Sequence, residues 1–183
     1  KTDQSLQRVR VEGGAPQSIA DNPHNGGEYA TDQHAFFTDR TTGNLMRASI
    51  IGNAQPDIVA AEEGKAFFWP QLLPDGIHLL VTSVDNALAT ASTSQTQIID
   101  LESLDRETLI EAAFNARYSS SGHIVFSRDA AVWAVPFDAS ALTLEGDQVP
   151  VLLEVETDQR RGTANYTFSE SGRLAYLRGD TLN

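Results

Sequence analysis

A hairpin that recurs along the chain constrains its fold more than any other feature. In Trp69-Pro70-Gln71-Leu72-Leu73-Pro74-Asp75-Gly76-Ile77-His78-Leu79-Leu80-Val81-Thr82-Ser83, a short strand runs into a Pro-Asp-Gly turn and then a strongly apolar strand. Pro74 presets φ for the turn, Asp75 bonds nearby backbone, and Gly76 accepts a positive φ at no steric cost. Leu79-Leu80-Val81 lacks polar alternation, which suits a strand covered on both faces. Ala116–Ser127 repeats the plan with Ser121-Gly122 as its turn, and Tyr166–Leu177 repeats it around Ser171-Gly172. Tyr29–Thr38 is a weaker copy, with Gln33 where the others have glycine. Turn positions 33, 76, 122 and 172 stand roughly 43 to 50 residues apart. Short strands at that period predict β-propeller blades of about four strands each.

Taken in order, the chain distributes these strands unevenly. Ser5–Val11 alternates like a half-exposed strand, Gly13-Gly14-Ala15-Pro16 is turn chemistry, and Gln17–Ile19 suits a second strand. These are outer strands with no inner ones. Asp21–Gly27 is a loop by composition. Blades follow at about Gly27–Val59, Ala66–Leu109 and Phe114–Leu153, with Val84–Gln95 expected as a long loop inside the second. In the third, the strand Ala131–Asp138 leads into a long connection through Leu142 and Leu144. Asn165–Leu177 then offers two inner strands with no outer ones.

The expected fold is therefore all-β, a propeller of antiparallel four-stranded blades in about four blade equivalents, one split between the chain ends, forming a single domain over 1–183. Wet blade faces are costly at about 25 cal/mol per Å². Net stabilities of about 5–15 kcal/mol do not tolerate two of them. The ring is expected to close on itself or through a second copy.

Composition narrows the partners. A net charge of -12 and a pI near 4.6 disfavour nucleic-acid backbones and anionic membranes. No run approaches the roughly 18 apolar residues of a membrane span. Cysteine is absent, so disulfides and thiolate metal sites are excluded. The chain opens on Lys1 and its one methionine is Met46, so a processed or excised piece is expected.

With those residues in view, the chain resembles the TolB-like propellers, in particular the bacterial branch fused outside a membrane-spanning Ser/Thr protein kinase. Trp69–Gly76 is similar to that branch's WPQ-x-LPDG hairpin, and Ala116–Phe126 to its ARY-x-x-SGHLVY segment. Val132–Asp138 with Gly146 and Val149–Leu152 resembles its LFAVPFD…TG-x-PVPVL blade. Ser169–Leu177 resembles the closing S-x-x-GTLVYV hairpin. Only four blade equivalents stand where the family has six, and no kinase segment is visible. The resemblance implies a periplasmic or otherwise extracytoplasmic module for sensing or protein interaction, without known chemistry.

Candidate chemistry reduces to framework roles. His24 lies in a loop and His34 beside a turn, while His78 and His123 follow the hairpin glycines, which suggests bonding to a neighbouring blade. No carboxylate recurs at matching positions to make an axial metal site. Asp75 and His78 are two-thirds of a hydrolytic triad, but no G-x-S-x-G elbow exists and Ser119-Ser120-Ser121-Gly122 reads as a turn. Glu62-Glu63 and the trio Asp100, Glu102 and Asp105 read as solvated acidic loops. Asp39–Asn44 is a polar hairpin loop lacking the later glutamate of a calcium loop. Gly13-Gly14 is too short to cradle phosphate. Trp69, Trp133, Phe67, Phe68 and Phe137 read as inter-blade core.

No catalytic, cofactor or metal residue is assigned. The expectation is a non-catalytic module binding a protein or ligand, with a homodimer as one route to a completed ring. The alternatives are a propeller-scaffold enzyme, such as a glycan lyase or hydrolase, and a self-associating fragment without activity of its own.

Overall fold

A computed structural model of the chain describes residues 4–24, 29–31, 33–51, 54–85, 91–158, 163–169 and 172–179. Strands β1 (Ser5–Arg8) and β2 (Gln17–Asp21) form an antiparallel hairpin. The first blade follows as β3 (Tyr29–Ala30), β4 (His34–Thr38), β5 (Leu45–Ser49) and β6 (Asp57–Ala60), paired in that order. The second is β7 (Lys65–Leu72), β8 (His78–Asp85), β9 (Gln95–Asp100) and β10 (Arg106–Glu111). The third contains β11 (Phe114–Ser119), β12 (His123–Arg128) and β13 (Ala131–Asp138). Its outer position is shared by β14 (Thr143–Leu144) and β15 (Val149–Leu152), both paired to β13. Two hairpins end the chain: β16 (Thr157–Asp158) with β17 (Thr163–Ala164), and β18 (Tyr166–Phe168) with β19 (Leu174–Tyr176). The only helix among the described residues is a single 3-10 turn at Ala91–Thr93.

The fold is thus all-β and antiparallel, and each blade boundary falls within a few residues of its expected place. Three differences have local causes. Strand β8 extends to Asp85 and β9 starts at Gln95, so the segment expected as a long loop from Val84 is shorter. The connection through Leu142 and Leu144 is partly a strand, because Thr143 and Leu144 pair with Asp138 and Phe137. The β16–β17 hairpin is too short to carry an alternation pattern. The weak first copy holds without a turn glycine: Thr31 Oγ1 accepts the Gln33 and His34 N–H groups at 3.2 and 3.0 Å. Its neighbour Asp32 lies outside the described residues.

Alternation along the middle strands explains how blades stack. Leu79, Leu80 and Val81 are each fully buried. Leu79 and Val81 pack toward the first blade with Phe36, Leu45 and Phe67, while Leu80 packs toward the third with Ile124, Phe126 and Phe137. Successive side chains leave opposite faces of a strand, so a strand between two blades must be apolar at every position. In the same way Phe36 faces the second blade, and its neighbour Phe37 faces the N-terminal hairpin through Leu6 and Ala20. Val125 and Val132 cover the C-terminal hairpin with Ala164 and Tyr166. Each such Leu, Val or Phe contributes about 1.5–3 kcal/mol of burial.

Polar ties run forward across the same seams. The Thr38 hydroxyl of the first blade donates to the Phe67 carbonyl of the second. Gln71 of the second grips the third: its Nε2 donates to the Tyr118 carbonyl at 3.1 Å, and its Oε1 accepts the Tyr118 N–H at 2.8 Å. Asn115 Nδ2 donates to the Ala164 carbonyl at 3.2 Å, and the Tyr166 hydroxyl donates to the Asn115 carbonyl at 2.6 Å. Trp69 and Asn115, both seven residues ahead of a turn glycine, have φ of 51° and 52° at the bulges of β7 and β11. A bulge sharpens the local bend of an inner strand and re-aims its side chains. Gly43 is required twice over: its φ is 76°, and a Cβ there would lie 2.7 Å from the Lys65 carbonyl of the next blade.

The expected split blade is not seen among the described residues, where no ladder joins β1–β2 to β18–β19. The first hairpin sits on the outer flank of the first blade and the last on the outer flank of the third.

Candidate functional site

Antiparallel alternation gathers the first-to-second and third-to-fourth strand turns of every blade at one end of its sheet. There the β3–β4 turn and β5 of the first blade face the β7–β8 and β9–β10 turns of the second across a cleft of about 460 Å³. Its floor is apolar, built from Phe36, Leu72 and Leu101. Ile77 is half exposed at its mouth. The rim carries Gln33, His34, Arg47 and Glu102. Arg47 is held by Asp57, its Nη2 lying 2.6 Å from Oδ2, and the His34 ring leans over Phe36 at 6.4 Å between centroids.

Beside this cleft, the turns are fixed by aspartate side chains. Asp75 Oδ1 accepts the N–H groups of Ile77 and His78 at 2.9 and 3.0 Å, and its Oδ2 lies 2.7 Å from His78 Nδ1. Burial pushes the Asp75 carboxyl up, but these amides and the imidazole outweigh it and hold it below its usual value. His78 Nε2 faces Asp100 Oδ2 at 3.7 Å, so one imidazole bridges two turns of one blade. Asp100 Oδ1 accepts the Ser103 and Glu102 N–H groups, which hold that carboxyl down as well.

The structure therefore brings Asp75 and His78 together, and it gives the far imidazole nitrogen a second carboxylate in place of a serine. The expected partner in a neighbouring blade is corrected: His78 bonds within its own blade, and His123 Nδ1 lies 3.0 Å from the Ser121 carbonyl of its own turn. His24 lies 4.9 Å edge-on to Phe68, and its N–H donates to the Thr38 carbonyl. Glu62 accepts a hydrogen bond from Arg106 at 3.3 Å. Asp39 caps its loop through the Thr41 and Thr42 N–H groups. Asp100, Glu102 and Asp105 share one turn. Phe67 and Phe137 lie in seam cores; Trp133 packs against the core that holds Phe137, and Trp69 against the cluster of the third blade with Ala164 and Tyr166. Among the described residues no group of three or more His, Asp or Glu is placed to hold a metal ion.

Of the cleft residues, Gln33 and Ile77 read from sequence only as parts of turns, and Arg47 and Leu101 carried no signal of their own. The available signal was positional: the turn positions of adjoining repeats are forced side by side once the blades stack. A second cavity, of about 450 Å³, lies between the third blade and the C-terminal hairpin, with Ser121 and His123 at one end and Val151, Phe168 and Tyr176 along its walls.

No family model matches the sequence, and no curated protein matches it significantly. Several solved structures are similar in fold. The calcium-binding protein regucalcin from Agrobacterium tumefaciens is 12% identical with a TM-score of 0.63, over 95% of this chain and 60% of that one. An oligogalacturonate lyase in complex with manganese is 17% identical with a TM-score of 0.62, over 91% and 48%. A 6-phosphogluconolactonase-like protein from Bacteroides fragilis is 11% identical with a TM-score of 0.59, over 95% and 56%. The chain thus spans about half to three-fifths of these propeller-like neighbours, and at such identities the likeness is one of fold.

Proposed function

We propose that this chain is a non-catalytic propeller module that binds a protein or ligand in the cleft between its first two blades. The cleft itself carries the reading. Its volume of about 460 Å³ falls inside the roughly 300–1,000 Å³ of ligand pockets, and an apolar floor under a few polar rim groups is their usual chemistry. A peptide segment with one apolar side chain and a neighbouring cation fits best. The Phe36–Leu72–Leu101 floor takes the apolar part, and Glu102 takes the cation in a chain whose net charge is -12. A TolB-like lineage and an extracytoplasmic, sensing role in a bacterium belong to the same reading and draw on the sequence resemblance.

The test is fluorescence anisotropy with two labelled peptides, one alternating leucine and lysine and one alternating leucine and glutamate. The cationic peptide should bind and the anionic one should not, and Glu102→Lys should weaken binding at least about tenfold. Equal binding of both peptides, or of neither, would refute the assignment.

The enzyme alternative draws on structural neighbours that are enzymes. In this chain Asp75, His78 and Asp100 would be the groups to carry it. Incubation with oligogalacturonate and manganese, followed by ultraviolet absorbance of a newly formed double bond, separates the readings. Turnover that disappears in His78→Ala would make the protein a lyase.

A further inference from the structure

We infer that His78 is a proton-operated latch on the second-blade wall of the cleft. A proton on its ring ties the β9–β10 turn to the β7–β8 turn and tightens ligand binding between them and the first blade. This regulation rests on the cleft being the binding site. Both turns contribute cleft residues, Gly76 and Ile77 from one and Leu101 and Glu102 from the other. The Leu101 N–H donates to the Ile77 carbonyl at 3.0 Å, a backbone bond that joins the two turns. His78 directly follows Ile77, and Asp100 directly precedes Leu101, so the imidazole bridge lies one residue from the cleft on each turn.

A neutral imidazole has a single N–H to give. Nδ1 lies 2.7 Å from Asp75 Oδ2, and a carboxylate only accepts, so that N–H is spent on Asp75. Nε2 then turns a lone pair toward Asp100 Oδ2 at 3.7 Å, outside hydrogen-bond range, and the two acceptors repel. One proton on Nε2 reverses the sign: the ring donates at both nitrogens and draws Asp100 into a charge-assisted bond. Imidazoles as a class change charge between about pH 5 and 8. This ring is 22% exposed, so protons reach it from solvent. The surrounding charges are otherwise engaged. Glu102 gives its N–H to Asp100 and its side chain to the cleft rim. Across the cleft Arg47 is paired with Asp57, and His34 is a second imidazole on the rim. Leu80, two residues on and so on the same face as His78, packs against Ile124, Phe126 and Phe137 of the third blade. That blade's Asp138 is bound to Ser140 and Ala141 of its own turn.

The test is NMR of the ligand-free protein, then anisotropy with the leucine–lysine peptide, both in a His34→Gln background that removes the other rim imidazole. From about pH 7.5 to about 5.5 the Leu101 and Glu102 amide signals should move in step with the His78 ring protons. Exchange of the Leu101 N–H, corrected for its intrinsic rate, should slow about fivefold, and peptide affinity should rise about fivefold. The same proton repels a lysine, so the peptide is measured at about 0.15 M salt, where charges more than about 8 Å apart are largely screened. Asp100→Asn sets the latch without a proton, because its amide donates to the Nε2 lone pair while Oδ1 keeps the Glu102 and Ser103 N–H groups. At about pH 7.5 it should match the acidified background protein in amide signals and affinity, and His78→Gln should show no pH step. Amide signals that ignore the ring, a pH step that survives in Asp100→Asn, or a closed latch with unchanged affinity would overturn the proposal. A peptide that binds at neither pH would sink the cleft reading instead, since the amide signals and exchange still decide the latch.

Discussion

Replacing Gln71 by alanine tests whether the polar ties between blades stabilise the stack or merely decorate it. The Gln71 amide makes two hydrogen bonds across the seam, at 3.1 and 2.8 Å, to the carbonyl and N–H of Tyr118. A hydrogen bond exchanged for water is worth about 0.5–1.5 kcal/mol, but a buried backbone group stripped of its partner costs about 1–3 kcal/mol. Tyr118 is half-buried at the seam, so water restores part of the loss. The two bonds together then amount to about 2–3 kcal/mol for Gln71→Ala. For a chain of this size that is a fall in Tm of roughly 4–12 °C.

Urea unfolding followed by tryptophan fluorescence reads the change directly, since Trp69 and Trp133 flank this seam. The control is built into the repeat. Thr167 stands five residues before Gly172, as Gln71 stands five before Gly76, but Thr167 is exposed. Thr167→Ala should cost less than about 0.5 kcal/mol, as exposed substitutions usually do. Gln71→Glu should fall between, because it keeps an acceptor for the Tyr118 N–H but sets a carboxylate against the Tyr118 carbonyl. If Gln71→Ala and Thr167→Ala lost the same stability, the ties would have no structural weight.

Two further outcomes follow from named groups. Asp75, Asp100 and Asp138 are all held below the usual carboxylate value of 3.8, Asp138 by the Ser140 hydroxyl and the Ala141 and Ser140 N–H groups. A depressed carboxylate stabilises fully above its unfolded value and loses that contribution as pH falls through the folded one. The urea midpoint should therefore hold through neutral pH and drop below about pH 4, with a shallower drop in Asp75→Asn; an identical slope in that variant would remove Asp75 from the account. The Tyr166 hydroxyl donates to the Asn115 carbonyl and is pushed up by burial. Tyr166→Phe should cost about 1–3 kcal/mol in the same urea assay, and alkaline titration should find at least one of the four tyrosines ionising only on unfolding; an unchanged midpoint would argue against that tie.

What the sequence discloses here is local geometry repeated at a fixed period. Gly76, Gly122 and Gly172 have φ of 74°, 76° and 78°, so three turns read from Gly and its neighbours are the same turn. Leu79-Leu80-Val81 is covered on both sides because alternate residues serve different seams, and an unbroken apolar run is what that arrangement requires. The cleft was hidden for the opposite reason. Gln33 and Ile77 are ordinary turn residues, and they become a site only when two repeats stand side by side. Gln71 was equally silent: a glutamine in an inner strand looks exposed until the next blade brings Tyr118 within 3 Å of it. Closure left no mark either, since a strand edge is made of backbone, and the alternation that marks β1 as a strand does not name its partner.

The forward ties give the stack a direction, and that direction bears on how it ends. Thr38 reaches from the first blade to the second, Gln71 from the second to the third, and Asn115 from the third to Ala164 of β17, just ahead of the C-terminal hairpin. Arg117, at the repeat position of Gln71, continues the pattern by lying 4.8 Å over the Phe168 ring of that hairpin. The next position in the series is Thr167, exposed and with no following blade to grip among the described residues. At the other end, the first blade is met by β1–β2 through apolar contacts of Leu6 and Ala20 with Phe37 and Ala48. The N-terminal seam thus rests on a small apolar cluster and the exposed Asn22–Thr41 hydrogen bond of 2.7 Å, where the later seams add buried or half-buried ties. It should be the first seam to part as urea rises.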